Sequence, residues 1–186
     1  RTVADVALLL DAMSGEVAGD LRSLPKPATS FLSAATNATK PKRIAVSRDL
    51  GITPVDPEVA AIVMAAARKL EGEGVVVEEA HPDLSEAMSC FQTLRAIGMA
   101  TGMRELLGKH RDLLKPEVIW NIEKGLGLTG AEIALAEAQR GMLFRRMHQF
   151  LDRYDLLLCP ATIVPPFPVE ERYVKSCNGI AFDTYV

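Results

Sequence analysis

Long apolar runs are missing from this chain. None of its uninterrupted apolar stretches approaches the ~20 residues that a membrane-spanning helix needs. No membrane span, and no membrane partner, is therefore expected. Aromatic residues are scarce, at 5% of a chain that is 48% apolar, so the core should be aliphatic. Basic stripes are missing as well. The net charge is -3 and evenly spread. Nothing here is built to neutralise a row of phosphates, which argues against nucleic acid as a partner. The densest basic cluster, Lys40-Pro41-Lys42-Arg43, reads as the solvated entry to a strand. Cysteine is limited to Cys90, Cys159 and Cys177, an odd count without C-x-x-C spacing. That pattern disfavours a disulfide framework or a zinc site and fits a reducing, cytoplasmic location.

Familiar catalytic patterns are absent too. No serine sits in G-x-S-x-G. His81, His110 and His148 are isolated, without H-E-x-x-H spacing, and each reads as a surface or helix-edge residue. The glycines near Gly51 do not form G-x-G-x-x-G, so no dinucleotide site is expected there. Catalytic, metal-binding and cofactor-binding sets are all expected to be lacking. Cys159, at the end of an apolar run, reads as a buried structural thiol, with no His or Lys close in sequence to activate it.

What the chain does contain is a clear order of elements. At 186 residues it has room for one domain with one core. Residues 1–41 read as a helix and a long connection. Thr2 and Asp5 make a capping pattern for a helix with Val3, Val6, Leu10 and Met13 on one face. Phe31-Leu32 is a candidate anchor within the weakly patterned connection that follows. Residues 42–82 read as a strand-helix-strand unit. RIAVSRDL is the first strand, Asp56-Pro57 opens the helix, and Val75 to Ala80 is the second strand. Strands joined this way should lie parallel. Residues 83–153 read as helical. Gly98 and Gly102 mark either close backbone packing or a break, and Thr129 with Glu132 forms a capping box. Arg140, Arg145 and Arg146 are expected on the solvated side of the last helix.

Residues 154–186 hold the late strand and a candidate pocket loop. In YDLLLCPATIVPPFP the apolar run from Leu156 to Cys159 stops at Pro160, which cannot continue a ladder. The run reads as a strand buried on both faces. Ligands of open α/β sheets sit beyond the carboxyl ends of the strands, so the loop after Pro160 is the first place to look for one. Trp120, the single tryptophan, reads either as a core or groove-rim residue or as a substrate contact.

These stretches, taken together and in order, resemble the C-terminal part of the amidase signature family. RTVADVALLLDAMSG is similar to the helix that follows the glycine-rich core of those enzymes. RIAVSRDLG with VDPEVAAIVMAAARKLEGEGVVVEEAHPDL is similar to their later strand-helix-strand unit. YDLLLCPATIVPPFP is similar to their late strand and loop, and NGIAFDTYV to the lead into their last helices. The resemblance implies an α/β fold: a partial mixed sheet with a βαβ unit and a helical layer, as a fragment of the family fold. It implies an amide hydrolase that uses a serine-serine-lysine triad with an oxyanion hole of backbone amides. Those elements lie upstream of the helix matching Thr2 to Ser14, so no residue here is expected to be catalytic and the fragment alone should be inactive. It also implies that Ala161, Thr162 and Ile163 line an acyl pocket, with Trp120 and Tyr173 as further contacts for a small-molecule amide.

Two other readings stay open, a non-catalytic scaffold module and the amidase subunit of a glutamine-dependent amidotransferase. Both ends of the chain look cut, so the expected partners are a missing N-terminal portion or a second copy, through an exposed apolar patch.

Overall fold

The centre of the structure is a four-residue strand, RIAV. The computed structural model describes residues 2–182 and gives strand β1 as Arg43–Val46. Ile44 and Ala45 are fully buried there. Two parallel neighbours flank it, β2 (Val76–Glu79) and β3 (Leu156–Leu158), in the order β2-β1-β3. Ile44 lies opposite Val77 on one side and Leu156 on the other. The helix between β1 and β2, α3 (Pro57–Gly72), starts where Asp56-Pro57 places it. The Asp56 carboxylate accepts the Glu58 N–H at 2.8 Å. The parallel βαβ unit read from the sequence is therefore present.

The late strand is placed differently from its sequence reading. With β1 in the middle, β3 is an edge strand among the described residues, and Leu156 keeps 48% of its surface. An apolar run without alternation does not by itself say how many neighbours a strand has.

One carboxylate ties the amino edge of the sheet. Asp155 accepts the N–H groups of Lys42 at 2.7 Å and Arg43 at 3.0 Å, while its own N–H donates to the Arg43 carbonyl at 2.8 Å. The hydrogen bonds from Arg43 and then Lys42 hold its carboxyl below the usual carboxylate range. A depressed folded-state pKa adds stability above the unfolded value, about 3.9. That stability is lost as pH falls through the folded value. Asp155→Asn should lower the urea midpoint at pH 7, and the gap to the unaltered chain should be smaller at pH 3. An equal gap at both pH values would remove Asp155 from this role.

Three helices form a layer: α4 (Ala87–His110), α5 (Pro116–Leu126) and α6 (Gly130–Leu151), with a short 3-10 turn at Arg111–Leu113 between the first two. Thr129 and Glu132 cap α6 reciprocally, as their spacing predicts. Helix α4 runs unbroken through Gly98 and Gly102, and neither glycine meets a neighbour. The close approach is at Gly125 of α5 instead. A Cβ there would lie 2.1 Å from the Ala96 carbonyl oxygen and 2.7 Å from the Ala100 Cβ. Nearby, the buried Cys90 thiol donates to the Ala136 carbonyl at 3.2 Å, joining α4 to α6.

Arg146 is not on a solvated face. Its guanidinium reaches the Glu86 carboxylate at 2.5 Å and Asp83 at 3.3 Å, clamping the β2–α4 link onto α6. Helix α6 then packs on the sheet through Phe150, whose ring lies 4.7 Å from that of Tyr154, with Ala45 buried beside both.

By contact the chain divides into two compact units, Arg1–Lys40 and Pro41–Val186. The first holds α1 (Val3–Met13) and a short α2 (Phe31–Thr36) that interrupts the long connection. Thr2 and Asp5 form the expected capping box. Asp11 on α1 accepts the N–H groups of Phe31 and Leu32 at 2.8 and 3.0 Å, so α1 caps α2. The large apolar residues of α1, including Val3, Val6, Leu10 and Met13, are exposed, and Ala7 is buried. In the second unit a small hairpin closes the described chain, with β4 (Ser176–Cys177) and β5 (Ile180–Ala181). Asn178 and Gly179 turn it with positive φ of 51° and 77°, as that dipeptide predicts. Residues 183–186, part of the tail singled out in the sequence, lie outside the described residues.

Candidate functional site

Where a parallel sheet ends, its last carbonyls and amides face outward and loops gather. Here the carboxyl edge is formed by Ser47, Ala80 and Pro160, just past the three strands. Ser47 N–H donates to the Leu158 carbonyl at 2.9 Å and Ala80 N–H to the Val46 carbonyl at 3.1 Å, carrying the ladder slightly beyond the strands. The chain after β1 then turns sharply. Leu50 and Gly51 both have positive φ, and the Ser47 hydroxyl and Asp49 carboxylate accept their N–H groups at 2.9 and 2.8 Å.

His81 fills the space above that turn. A Cβ on Gly51 would lie 2.5 Å from its Cε1, so this close contact requires glycine. The His81 Nδ1 sits 2.9 Å from the Pro82 carbonyl and donates to it. A cavity of about 360 Å³ opens here, lined by Ser47, Arg48, Asp49, Glu79, Ala80 and His81. Arg48 and Glu79 pair across its rim at 2.8 Å. The pairing with Glu79 raises the Arg48 pKa above its ordinary value.

The loop from Cys159 onward lies along the same edge. Cys159 is exposed, which corrects its reading as a buried thiol. Leu158 is the last paired residue, so Cys159 has already left the sheet. Ala161 and Thr162 are exposed and Ile163 is half-buried. Thr162 donates its hydroxyl to the Val164 carbonyl at 3.2 Å, a local bond that stiffens the turn. The Ile163 carbonyl accepts the Asp56 N–H at 2.8 Å, which pins the loop to the start of α3. The β4–β5 hairpin presses on the same place. Asn178 donates its side-chain amide to the Val55 carbonyl at 2.8 Å, and the buried Cys177 thiol reaches the Ile163 carbonyl at 3.9 Å. Burial pushes the Cys177 thiol up, with the nearby Asp56 charge adding to it.

Trp120 and Tyr173 belong to a second part of the surface. Trp120 lies on α5, 43% exposed, with the Lys124 ammonium 5.0 Å from its ring centre. Tyr173 lies in the segment between the proline loop and β4, 39% exposed. It lines a cavity of about 570 Å³ formed by residues 170–176, to which neither Trp120 nor Ala161–Ile163 contributes. The neighbouring Arg172 bonds Glu117, one turn before Trp120, at 2.5 Å. Thus Ala161, Thr162 and Ile163 are held together on one loop, and the segments carrying Trp120 and Tyr173 are joined separately. The residues that do the holding, Glu117, Arg172, Cys177 and the Asp56 amide, are absent from the sequence reading of the site. Partners 55 residues apart, such as Glu117 and Arg172, leave no local pattern to read.

Hydroxyl-carboxylate contacts include Thr129, which donates to Glu132 at 2.8 Å within the α6 cap, and Ser85, which donates to Glu86 at 3.1 Å. The Glu86 carboxylate is held below its usual range, first by the Arg146 guanidinium. A carboxylate so stabilised is a poor general base. No group of three or more His, Cys, Asp or Glu side chains that could hold a metal ion occurs among the described residues. No helix among them is long and apolar enough to cross a membrane.

Comparison with known proteins agrees with this architecture. The family model described as "Amidase" matches residues 1–186. The chain is 32% identical over 174 residues to an acylamidase of Rhodococcus erythropolis, covering 92% of this chain and 36% of that protein. It is 29% identical over 196 residues to one subunit of the glutamyl-tRNA(Gln) amidotransferase of Moorella thermoacetica, covering 92% of this chain and 40% of that protein. Among solved structures, a bacterial aryl acylamidase of the amidase signature family superposes with a TM-score of 0.84 at 25% identity. That match covers 98% of this chain and 40% of the other. The chain therefore spans between a third and a half of the length of these relatives.

Proposed function

Because the chain belongs to the amidase signature family, we propose that it forms the substrate-pocket flank of an amide hydrolase. The reaction is cleavage of a carboxylic amide to the acid and ammonia or an amine. The nucleophile and its base would lie on polypeptide outside these 186 residues. Ala161, Thr162 and Ile163 line the acyl side of the pocket, and Trp120 and Tyr173 extend it. The observation that carries this reading is the clamped loop at the carboxyl edge of the parallel sheet. Its Ile163 carbonyl is fixed by the Asp56 amide at 2.8 Å, so the wall is held by backbone rather than by side-chain chance.

The exposed apolar residues of α1 and the exposed Leu156 on the sheet edge are then surfaces for the rest of the protein. Free thiols at all three cysteines support a cytoplasmic setting. Hydrolysis of simple aryl and aliphatic amides should be compared between the full-length protein that carries this chain and residues 1–186 alone. Turnover is expected in the former and none in the latter. Activity of the isolated residues would overturn the site assignment.

A second reading is favoured by the likeness to the amidotransferase. It expects ammonia release from glutamine to exceed that from aryl amides. No release from either class would favour a scaffold.

A further inference from the structure

Between β3 and β4 runs a loop of residues 159–175, longer than most connections in a compact domain. Its first part is fixed at Ile163 by the Asp56 amide. Its second part, from Pro168 onward, is exposed, and a turn bond from Glu171 N–H to the Pro168 carbonyl at 3.0 Å folds it back. One bond that carries this part to a helix is the ion pair of Arg172 with Glu117, at 2.5 Å. Glu117 is well placed to act as an anchor. It sits in the first turn of α5, directly after Pro116, and its side chain is only 19% exposed against 53% for Arg172. The more buried partner is on the helix and the more exposed one is on the loop.

The positions on either side of this pair are the two aromatic candidates. Trp120 follows Glu117 by three residues, hence on the same side of α5. Tyr173 follows Arg172 directly. The ion pair therefore brings the loop that carries Tyr173 to the stretch of helix that carries Trp120.

We infer that Glu117 and Arg172 are positioning residues for the acyl group of the amide, their ion pair holding residues 168–175 against α5 so that the segments carrying Tyr173 and Trp120 act as one lip. This rests on the hydrolase reading above. Neither residue touches the reacting atoms. Both act through the two aromatic side chains, on binding of bulky apolar acyl groups and not on the chemical step.

The test uses the full-length protein carrying Glu117→Gln, Arg172→Gln, or both. For an amide with a bulky apolar acyl group, KM should rise about fivefold in either single variant, as suits a part-exposed ion pair, with kcat nearly unchanged. The double variant should be no worse than the singles. The exchange Glu117→Arg with Arg172→Glu should restore KM, and a small acetyl substrate should be indifferent throughout. Additive losses, or equal losses on both substrates, would overturn the inference. Cleavage by chymotrypsin at Tyr173, without substrate, gives a readout independent of activity. It should be faster in Glu117→Gln than in the unaltered protein, and equal rates would overturn the latch. If the unaltered protein turned over no amide, the hydrolase reading would fail while the protease comparison still decided whether the loop is latched.

Discussion

Gly125→Ala should cost the chain about 3 kcal/mol of unfolding free energy, the upper range for forcing atoms into a packed site. The added Cβ would fall 2.1 Å from a backbone oxygen, that of Ala96, and 2.7 Å from the Ala100 Cβ. Backbone cannot rotate away as a long side chain can, so α5 must move off α4. Residues buried along this contact, Ala96, Ala100 and Ile122, would lose packing together. The same substitution at Gly98 or Gly102 should do the opposite. Both are helical with open space at the Cβ position, so alanine there should stabilise by about 1 kcal/mol each through helix propensity. Urea unfolding of the three variants checks the contrast directly. A Gly125→Ala midpoint at or above that of the unaltered chain would mean the two helices are not held at this distance.

Phe150→Ala should be costlier, about 3–5 kcal/mol, as for other buried aromatic truncations. Phe150 is 3% exposed and stacks on Tyr154, with Ala45 of the central strand against both and Leu157 and Ala80 packed around them. The ring is what seats the end of α6 on the sheet just before the chain enters β3. Its removal should therefore also loosen the loop beyond β3, seen as faster amide exchange at residues 161–164. The Tyr154 hydroxyl, bonded to Glu78 and raised in pKa by that bond and by burial, cannot replace the lost contact because it points its polar end at β2. Phe144→Ala on the same helix is the control. At 72% exposed it should change stability by less than about 0.5 kcal/mol. Similar losses at both positions would show that burial of the ring does not set the cost, since alanine is the better helix former at either place.

Both outcomes turn on positions that local pattern treats alike. Two glycines spaced by four in a long helix attract attention, yet Gly98 and Gly102 meet nothing and Gly125 meets a backbone. Three arginines on one helix read as solvated, yet Arg146 is the one that α6 turns toward Glu86 and Asp83. A four-residue apolar run before a proline reads as a strand buried on both faces, yet Leu156 is 48% exposed on an edge strand and Cys159 stands outside the sheet. Ala161, Thr162 and Ile163 could be proposed from the loop and its likeness to a family, but not the Asp56 amide that fixes them.

The sequence alone determined whatever depends on neighbours a few residues apart. The capping boxes at Thr2 and Thr129, the Asp56-Pro57 helix start, the Asn178-Gly179 turn and the parallel βαβ unit are of this kind. All but the last are bonds between near neighbours, or backbone angles that one residue type favours, and the βαβ unit follows from the order of its elements and their short links. The tertiary structure alone decided which strand is central, which glycine is crowded, which arginine reaches another element and how the pocket loop is pinned. Those depend on groups tens of residues apart, such as Asp155 with Lys42 or Arg172 with Glu117, and on how much surface each leaves uncovered. A local window contains only one partner of each such pair, so it cannot tell a paired group from an unpaired one.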